Sequence, residues 1–88
     1  MRFRRSHQLG LEEAKHRADQ IAEDLTQQFS LTSTWQGDYL LISGSGVNGH
    51  LHVAEDSIEI EIKLGFALKL MEGPIRSVIE RDIDQHLV

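Results

Sequence analysis

A strictly alternating segment in the second half of the chain restricts the fold more than any other feature. In Ile58–Leu64, isoleucine or leucine occupies every second position and charged residues occupy the positions between them. Successive side chains of a β-strand point to opposite faces of a sheet, so this pattern predicts a strand with one buried and one solvent-facing side. A sheet built from such strands needs a second layer on its apolar face.

An amphipathic helix ahead of the strands can supply part of that layer. Between Leu11 and Phe29, apolar residues recur at the three- and four-residue spacings of one helical stripe, and charged residues fill the opposite face. Glu12 and Glu13 fall in the first turn, where the helix dipole favours carboxylates. The apolar stripe consists of Leu11, Ala14, Ala18, Ile21, Ala22, Leu25 and Phe29.

Short turns divide the middle of the chain into four strands. Gly37-Asp38 is a tight hairpin signal, glycines recur at positions 44, 46 and 49, and Ala54–Ser57 is a four-residue loop. Connections this short cannot hold a crossover helix, so the strands form an antiparallel meander. The predicted strands are Leu31–Gln36, Tyr39–Ser43, His50–Val53 and Ile58–Leu64.

The two ends of the chain complete the predicted fold. A second helical stripe runs from Pro74 to about Leu87, after a break at Gly73-Pro74, because proline is tolerated in the first turn of a helix. The weak alternation of Arg2–His7 predicts one further strand at a sheet edge. The expected fold is an α+β two-layer sandwich forming a single domain over residues 1–88. It has an antiparallel meander of four strands, or five with the edge strand, and two helices on one face, in the order (β)-α-β-β-β-β-α.

Composition excludes several classes of function. Fourteen acidic residues against nine basic ones give a formal charge of -5, which argues against a nucleic-acid binder held by overall charge. The absence of cysteine excludes disulfides and zinc–thiolate sites. No segment has the length of about 18 apolar residues that a transmembrane helix needs. The basic N-terminus is not followed by the apolar run of a secretory signal. We therefore expect a cytoplasmic protein without a transmembrane segment.

Histidines and glutamates meet on the polar side of the predicted sheet. If Ala54–Ser57 joins paired strands, His52 lies opposite Glu59 and His50 lies opposite Glu61. Such residues form either a metal site or solvated cross-strand pairs. Alternate strand positions lie roughly 7 Å apart, which favours the pairs. We predict no metal and no cofactor.

No motif indicates catalysis. Gly44-Ser45-Gly46 resembles part of a nucleophile elbow, but it falls in a turn between strands, where glycine is common. The same glycines match a dinucleotide fingerprint by letter, yet a strand follows them where that fingerprint requires a helix. We therefore predict no catalytic residue and a protein that is not an enzyme.

Two further features of the first half have alternative explanations. Arg2, Arg4 and Arg5 form either a docking site for anions or an edge strand whose charges discourage aggregation, and the edge strand is favoured. Trp35 and Tyr39 flank the first hairpin turn. They form either a shared aromatic binding surface or part of the core, and the core is favoured.

The segment Phe66–Met71 is the predicted interaction site. Five apolar residues surround one lysine there, which is more than a single helical stripe can turn toward one core. The surplus side chains either wedge between sheet and helix or contact a partner or a hydrophobic phase. The candidate binding residues are Phe66, Leu68, Leu70 and Met71.

Five short motifs follow one another along nearly the whole chain. They are Ser6-His7-x-Leu9-Gly10, Trp35-x-Gly37-Asp38, Gly46-Val47-x-Gly49, Leu64-Gly65-Phe66 and the isoleucine-rich Ile75–Leu87. In their order and spacing, they resemble the polyhydroxyalkanoic acid system proteins, also called the polyhydroxyalkanoate granule-region family, although Gly73-Pro74 departs from the uninterrupted helix expected there. The resemblance implies a role at or around the polyester granules of bacterial storage systems and supplies no catalytic residues.

Three functional hypotheses follow. The first is a non-enzymatic, granule-associated or regulatory protein whose apolar segment contacts the granule surface or a granule protein. The second is a homodimeric interaction module with no direct granule contact. The third is a metal-dependent hydrolase that uses His50, His52, Glu59 and Glu61, and it is disfavoured because so short a chain leaves little room for a pocket.

Overall fold

The computed structural model describes residues 1–87, which form one five-stranded sheet, two α-helices and a short 3-10 helix. The order of elements is the predicted one, β-α-β-β-β-β-α, with the 3-10 helix inserted before the last α-helix. The elements are β1 (Arg2–Ser6), α1 (Leu11–Phe29), β2 (Thr32–Gln36), β3 (Tyr39–Gly44), β4 (Val47–Val53), β5 (Ser57–Leu64), the 3-10 helix (Phe66–Met71) and α2 (Glu72–His86).

The sheet is an antiparallel meander extended by the N-terminal strand. Its strand order is β1-β5-β4-β3-β2, so the expected edge strand exists and pairs with β5 at the far side of the sheet from β2. The register across the loop after Val53 is the predicted one, with His52 paired to Glu59 and His50 paired to Glu61. The meander and its register are therefore confirmed, although β4 begins at Val47, three residues before the predicted start at His50.

Both helices lie on one face of the sheet and bury its alternating apolar residues. Ile58, Ile60 and Ile62 of β5 are at most 3% exposed, as the alternation in the sequence predicts. The apolar stripe of α1 meets them, because Ala14, Ala18 and the residues that follow at helical spacing are buried. The core residues are Ala14, Ala18, Ile21, Ala22, Leu25, Leu40, Ile42, Val47, Leu51, Val53, Ile58, Ile60, Ile62, Ile75, Ile79, Ile83 and Leu87.

No helix within residues 1–87 packs on the opposite face of the sheet, and we call it the open face. Side chains that alternate with the core residues project from it, and they are polar apart from Tyr39 and Leu41. Its residues on the three central strands and on β1 are Arg2, Arg4, Ser6, Tyr39, Leu41, Ser43, Asn48, His50, His52, Ser57, Glu59, Glu61 and Lys63.

The C-terminal region follows the predicted break. The 3-10 helix ends at Met71, and α2 starts at Glu72, so Pro74 lies in the first turn of α2. Its missing N–H costs nothing there, because the first N–H groups of a helix have no intrahelical partner. The helix begins two residues earlier than predicted and presents Ile75, Ile79 and Ile83 to the core.

Candidate functional site

The 3-10 helix Phe66–Met71, which we call the apolar segment, lies at the surface beside the β3–β4 turn. The Gly65 N–H donates a 2.7 Å hydrogen bond to the carbonyl of Gly46 in that turn. Phe66 is 92% exposed and Leu70 is 93% exposed. Two large apolar side chains therefore lie almost entirely in solvent.

The other two candidate binding residues are more enclosed. Met71 is 45% exposed, whereas Leu68 is half-buried and packs against the core. Leu68 also covers Gly46, because its Cδ1 lies 3.1 Å from the position that a β-carbon at residue 46 would take. The structure thus brings Phe66, Leu70 and Met71 to the surface and uses Leu68 to hold the segment on the fold.

A shallow groove with basic character adjoins the apolar segment. Lys63, at the end of β5, and Lys69, within the segment, line it together with Met1, Leu64 and Glu72. Two of the three lysines of the chain therefore line this groove, and the Lys63 ammonium also lies 3.8 Å from Glu61 Oε1. Sequence reasoning counted Lys69 only as an interruption of the apolar run and missed Lys63 as its neighbour.

The histidines of the open face pack against an aromatic ring. The Tyr39 ring stacks on His52 with centroids 4.4 Å apart and meets His50 edge-on at 5.5 Å. The carboxylate of Glu61, opposite His50, instead accepts a 2.8 Å hydrogen bond from Arg2 of β1. That hydrogen bond is the main reason why the pKa of Glu61 lies below its usual value. Burial acts in the opposite direction, and the charges of Arg2, Lys63 and His50 lower the pKa further.

The two aromatic residues beside the first hairpin lie on opposite faces of the sheet. Trp35 faces the helices, where it packs against the core and its Nε1 donates to Asp19 Oδ1 at 3.2 Å. Tyr39 is on the open face and is 44% exposed. Core packing is therefore the correct interpretation for Trp35 and the wrong one for Tyr39, and no shared aromatic surface forms.

The family model for "Putative polyhydroxyalkanoic acid system protein" matches residues 1–87, essentially the whole chain. The chain belongs to this family. The resemblance read from the short motifs is thereby confirmed, and the family description places its members in the polyhydroxyalkanoic acid system. No curated protein and no solved structure matches the chain.

The structure gives physical reasons for two of the motifs. In Ser6-His7-x-Leu9-Gly10, the buried His7 ring ties the entry of α1 to the β4–β5 loop. Its Nδ1 lies 3.1 Å from the Leu9 N–H, and its Nε2 lies 3.2 Å from the Ala54 carbonyl. In Gly46-Val47-x-Gly49, a β-carbon at Gly49 would collide with the backbone of β5 at Glu61.

One cluster of possible metal ligands exists among residues 1–87, and it differs from the histidine–glutamate set considered from the sequence. Asp24, Asp82 and His86 each offer a ligand atom within 4.8 Å of the other two. Their only sequence signal is the four-residue spacing of Asp82 and His86, which places both on one helical face. Asp24 reaches them because α1 packs beside α2, which the sequence pattern did not specify.

No described helix of this protein is both long enough and apolar enough to cross a membrane.

Proposed function

We propose that this protein is a non-enzymatic component of the polyhydroxyalkanoic acid system that attaches to the surface of polyester granules through its apolar segment. The observation that carries the proposal is the exposure of Phe66 and Leu70, at 92% and 93%. The family description supplies the biological setting. Phe66, Leu70 and Met71 make the contact, and Leu68 anchors the segment to the fold.

The exposure of these two side chains is unusual within the molecule. Among residues 1–87, the next most exposed large apolar residue is Met71 at 45%, followed by Tyr39 at 44% and Leu41 at 36%. Isolated, partly exposed apolar side chains are normal on protein surfaces, whereas neighbouring ones in full contact with water indicate an interaction site. A hydrophobic polymer surface is a partner that needs apolar contact and no shape-specific pocket.

The polar surroundings of the segment suit a polyester. Ester carbonyls accept hydrogen bonds, and the chain ends of the polymer carry carboxylates. Lys69 within the apolar segment and Lys63 in the adjoining groove supply donors and positive charge for both groups. The formal charge of -5 on the whole chain keeps coated particles apart.

The expected affinity of one copy is modest. Transfer of a Phe or Leu side chain from water to an apolar phase contributes roughly 1.5–3 kcal/mol, so two contribute about 3–6 kcal/mol before the entropy lost on association is subtracted. Attachment is therefore reversible for single molecules. Dense coverage of a granule depends on the protein concentration.

Co-sedimentation with washed granules tests the proposal. The purified chain is mixed with polyhydroxybutyrate granules stripped of their proteins, and the bound fraction is measured as a function of protein concentration. The double variant Phe66→Ser, Leu70→Ser removes the exposed contacts without touching the core. Leu41→Ser is the matched control, because it replaces an exposed leucine on the open face.

The proposal predicts that the wild type and Leu41→Ser sediment with the granules and that the double variant stays in the supernatant. Equal binding by the double variant would refute the role of the apolar segment. Absence of wild-type binding would refute direct granule contact. In that case, sedimentation velocity would decide about the homodimeric module. A wild type that is a dimer and a Phe66→Ser, Leu70→Ser variant that is a monomer would favour it.

A further inference from the structure

Two carboxylates and an imidazole meet between the helices, near the C-terminal end of α2, whereas the apolar segment precedes the N-terminal end of α2. Asp24 comes from α1, and Asp82 and His86 come from one face of α2. His86 Nε2 lies 3.4 Å from Asp24 Oδ2, and a ligand atom of Asp82 lies within 4.8 Å of both partners. We propose that these three side chains bind a divalent transition-metal cation of the Zn²⁺ class and thereby link the two helices.

Asp82 is the residue whose surroundings require such a partner. It is only 4% exposed, and its Oδ2 is buried without a hydrogen-bond partner among the described residues. Burial and the nearby carboxylate of Asp24 raise its pKa, and the smaller attractions of His86 and Arg81 do not offset them. A buried carboxylate without a partner is costly, and a bound cation compensates two carboxylates at once.

The donor set selects the type of metal. Ca²⁺ and Mg²⁺ prefer shells made of oxygen, whereas one imidazole nitrogen with two carboxylate oxygens suits Zn²⁺ and its neighbours in the first transition row. The side chain of Asp24 is 43% exposed and that of His86 is 23% exposed, so the cluster is open to solvent on one side. Water can therefore complete a four-coordinate shell.

The geometry is close to that of a loaded site. Ligand atoms about 2.1 Å from a tetrahedral zinc ion stand roughly 3.4 Å apart, which is the separation already present between His86 and Asp24. Asp82 offers a ligand atom within 4.8 Å of both partners, so a shift on the order of 1.5 Å brings all three ligand atoms to that spacing. Arg17 of α1 also fixes the backbone at the site, because its Nη1 donates to the carbonyl of His86 at 2.9 Å.

The sequence alone predicted no metal site, and the histidine pair it considered lies elsewhere, on the open face. That pair provides the control for the experiment. The full chain, without an affinity tag and after dialysis against a chelator, is titrated with ZnCl₂ by isothermal calorimetry, and its thermal midpoint is measured with and without the metal. MgCl₂ serves as the comparison ion.

The expected result is one equivalent of Zn²⁺ bound, with a raised thermal midpoint and no comparable response to Mg²⁺. Asp82→Asn and His86→Gln should each weaken zinc binding about tenfold or more, whereas the double variant His50→Gln, His52→Gln should bind as the wild type does. Asp24→Asn gives the same test at a partly exposed position, and far-UV circular dichroism checks that every variant is folded.

Two results would overturn the inference. One is the absence of stoichiometric Zn²⁺ binding by the wild type. The other is binding that survives Asp24→Asn, Asp82→Asn and His86→Gln but disappears in the His50→Gln, His52→Gln variant, which would assign the ion to the open face.

Discussion

The side chain of Leu68 rests on the backbone of Gly46, so the β3–β4 turn is the support on which the apolar segment is built. Gly46 has a φ of +79°, and Leu68 Cδ1 stands 3.1 Å from the position of a β-carbon there. The carbonyl of the same glycine accepts the Gly65 N–H at 2.7 Å. The position of Phe66 and Leu70 therefore depends on a glycine about 20 residues earlier in the chain.

Replacing this glycine should damage both the fold and the proposed contact. Gly46→Ala introduces a side chain at a positive φ, which costs about 1–2 kcal/mol, and it presses on Leu68. We expect a lower free energy of unfolding by at least that amount in urea denaturation, together with weaker retention on granules.

Gly37→Ala is the matched control for that substitution. Gly37 also has a positive φ, of +61°, but apart from its chain neighbours no atom lies within 4 Å of the position that a β-carbon would take there. The control therefore carries the backbone cost without the contact with Leu68, and we expect it to lower the free energy of unfolding less than Gly46→Ala does. Equal stabilities of the two variants would contradict the role assigned to the Gly46–Leu68 contact.

The buried His7 ring should stabilise the fold through a single tautomer. The Leu9 N–H donates to Nδ1 at 3.1 Å, so the ring proton lies on Nε2 and is donated to the Ala54 carbonyl at 3.2 Å. His7→Ala leaves both backbone groups without these partners and should lower the free energy of unfolding by about 1–2 kcal/mol.

An asparagine at this position separates hydrogen bonding from packing. The side-chain oxygen of His7→Asn can take the place of Nδ1 and accept from Leu9, although it does not reach Ala54. We expect urea denaturation to place its stability between those of the wild type and His7→Ala. If His7→Asn is as unstable as His7→Ala, the Leu9 hydrogen bond contributes nothing measurable.

The sequence predicted most of what depends on neighbouring residues and little of what depends on distant ones. The short loop after Val53 fixes the pairing of His52 with Glu59, and alternation fixes which side of β5 is buried. The two-residue hairpin also determines the faces of the aromatic residues. Gln36 and Tyr39 pair across the turn and lie on one face, so the neighbouring Trp35 lies on the opposite face.

Long-range pairings account for what the sequence pattern left open. Arg2 contacts Glu61, 59 residues later in the chain, because β1 joins the sheet beside β5. The weak alternation of β1 does not indicate which strand it pairs with. Asp24 meets His86 across 62 residues because α1 and α2 pack side by side. Apolar periodicity specifies that both helices cover the sheet, but it does not specify which polar side chains meet between them.

The Arg2–Glu61 pair should make stability depend on pH in a defined direction. The guanidinium of Arg2 donates to Glu61 Oε2 at 2.8 Å and, with the weaker attractions around it, lowers the pKa of Glu61 below its ordinary value of 4.5. The folded protein then binds the Glu61 proton less readily than the unfolded chain does. The pair therefore stabilises the fold above the unfolded-state pKa, and this contribution is lost as the pH falls through the lower folded-state pKa.

Arg2→Gln tests this dependence, with Arg4→Gln as its control. Arg4 lies on the same strand and face but forms no ion pair within residues 1–87, so its loss should matter less. In urea at low salt and pH 7, we expect Arg2→Gln to unfold at a lower denaturant concentration than the wild type. The gap should close toward pH 3, and at pH 7 it should shrink in high salt because the pair is partly exposed. A gap of constant size from pH 7 to pH 3 would mean that Arg2 stabilises the sheet by packing its side chain rather than by pairing with Glu61.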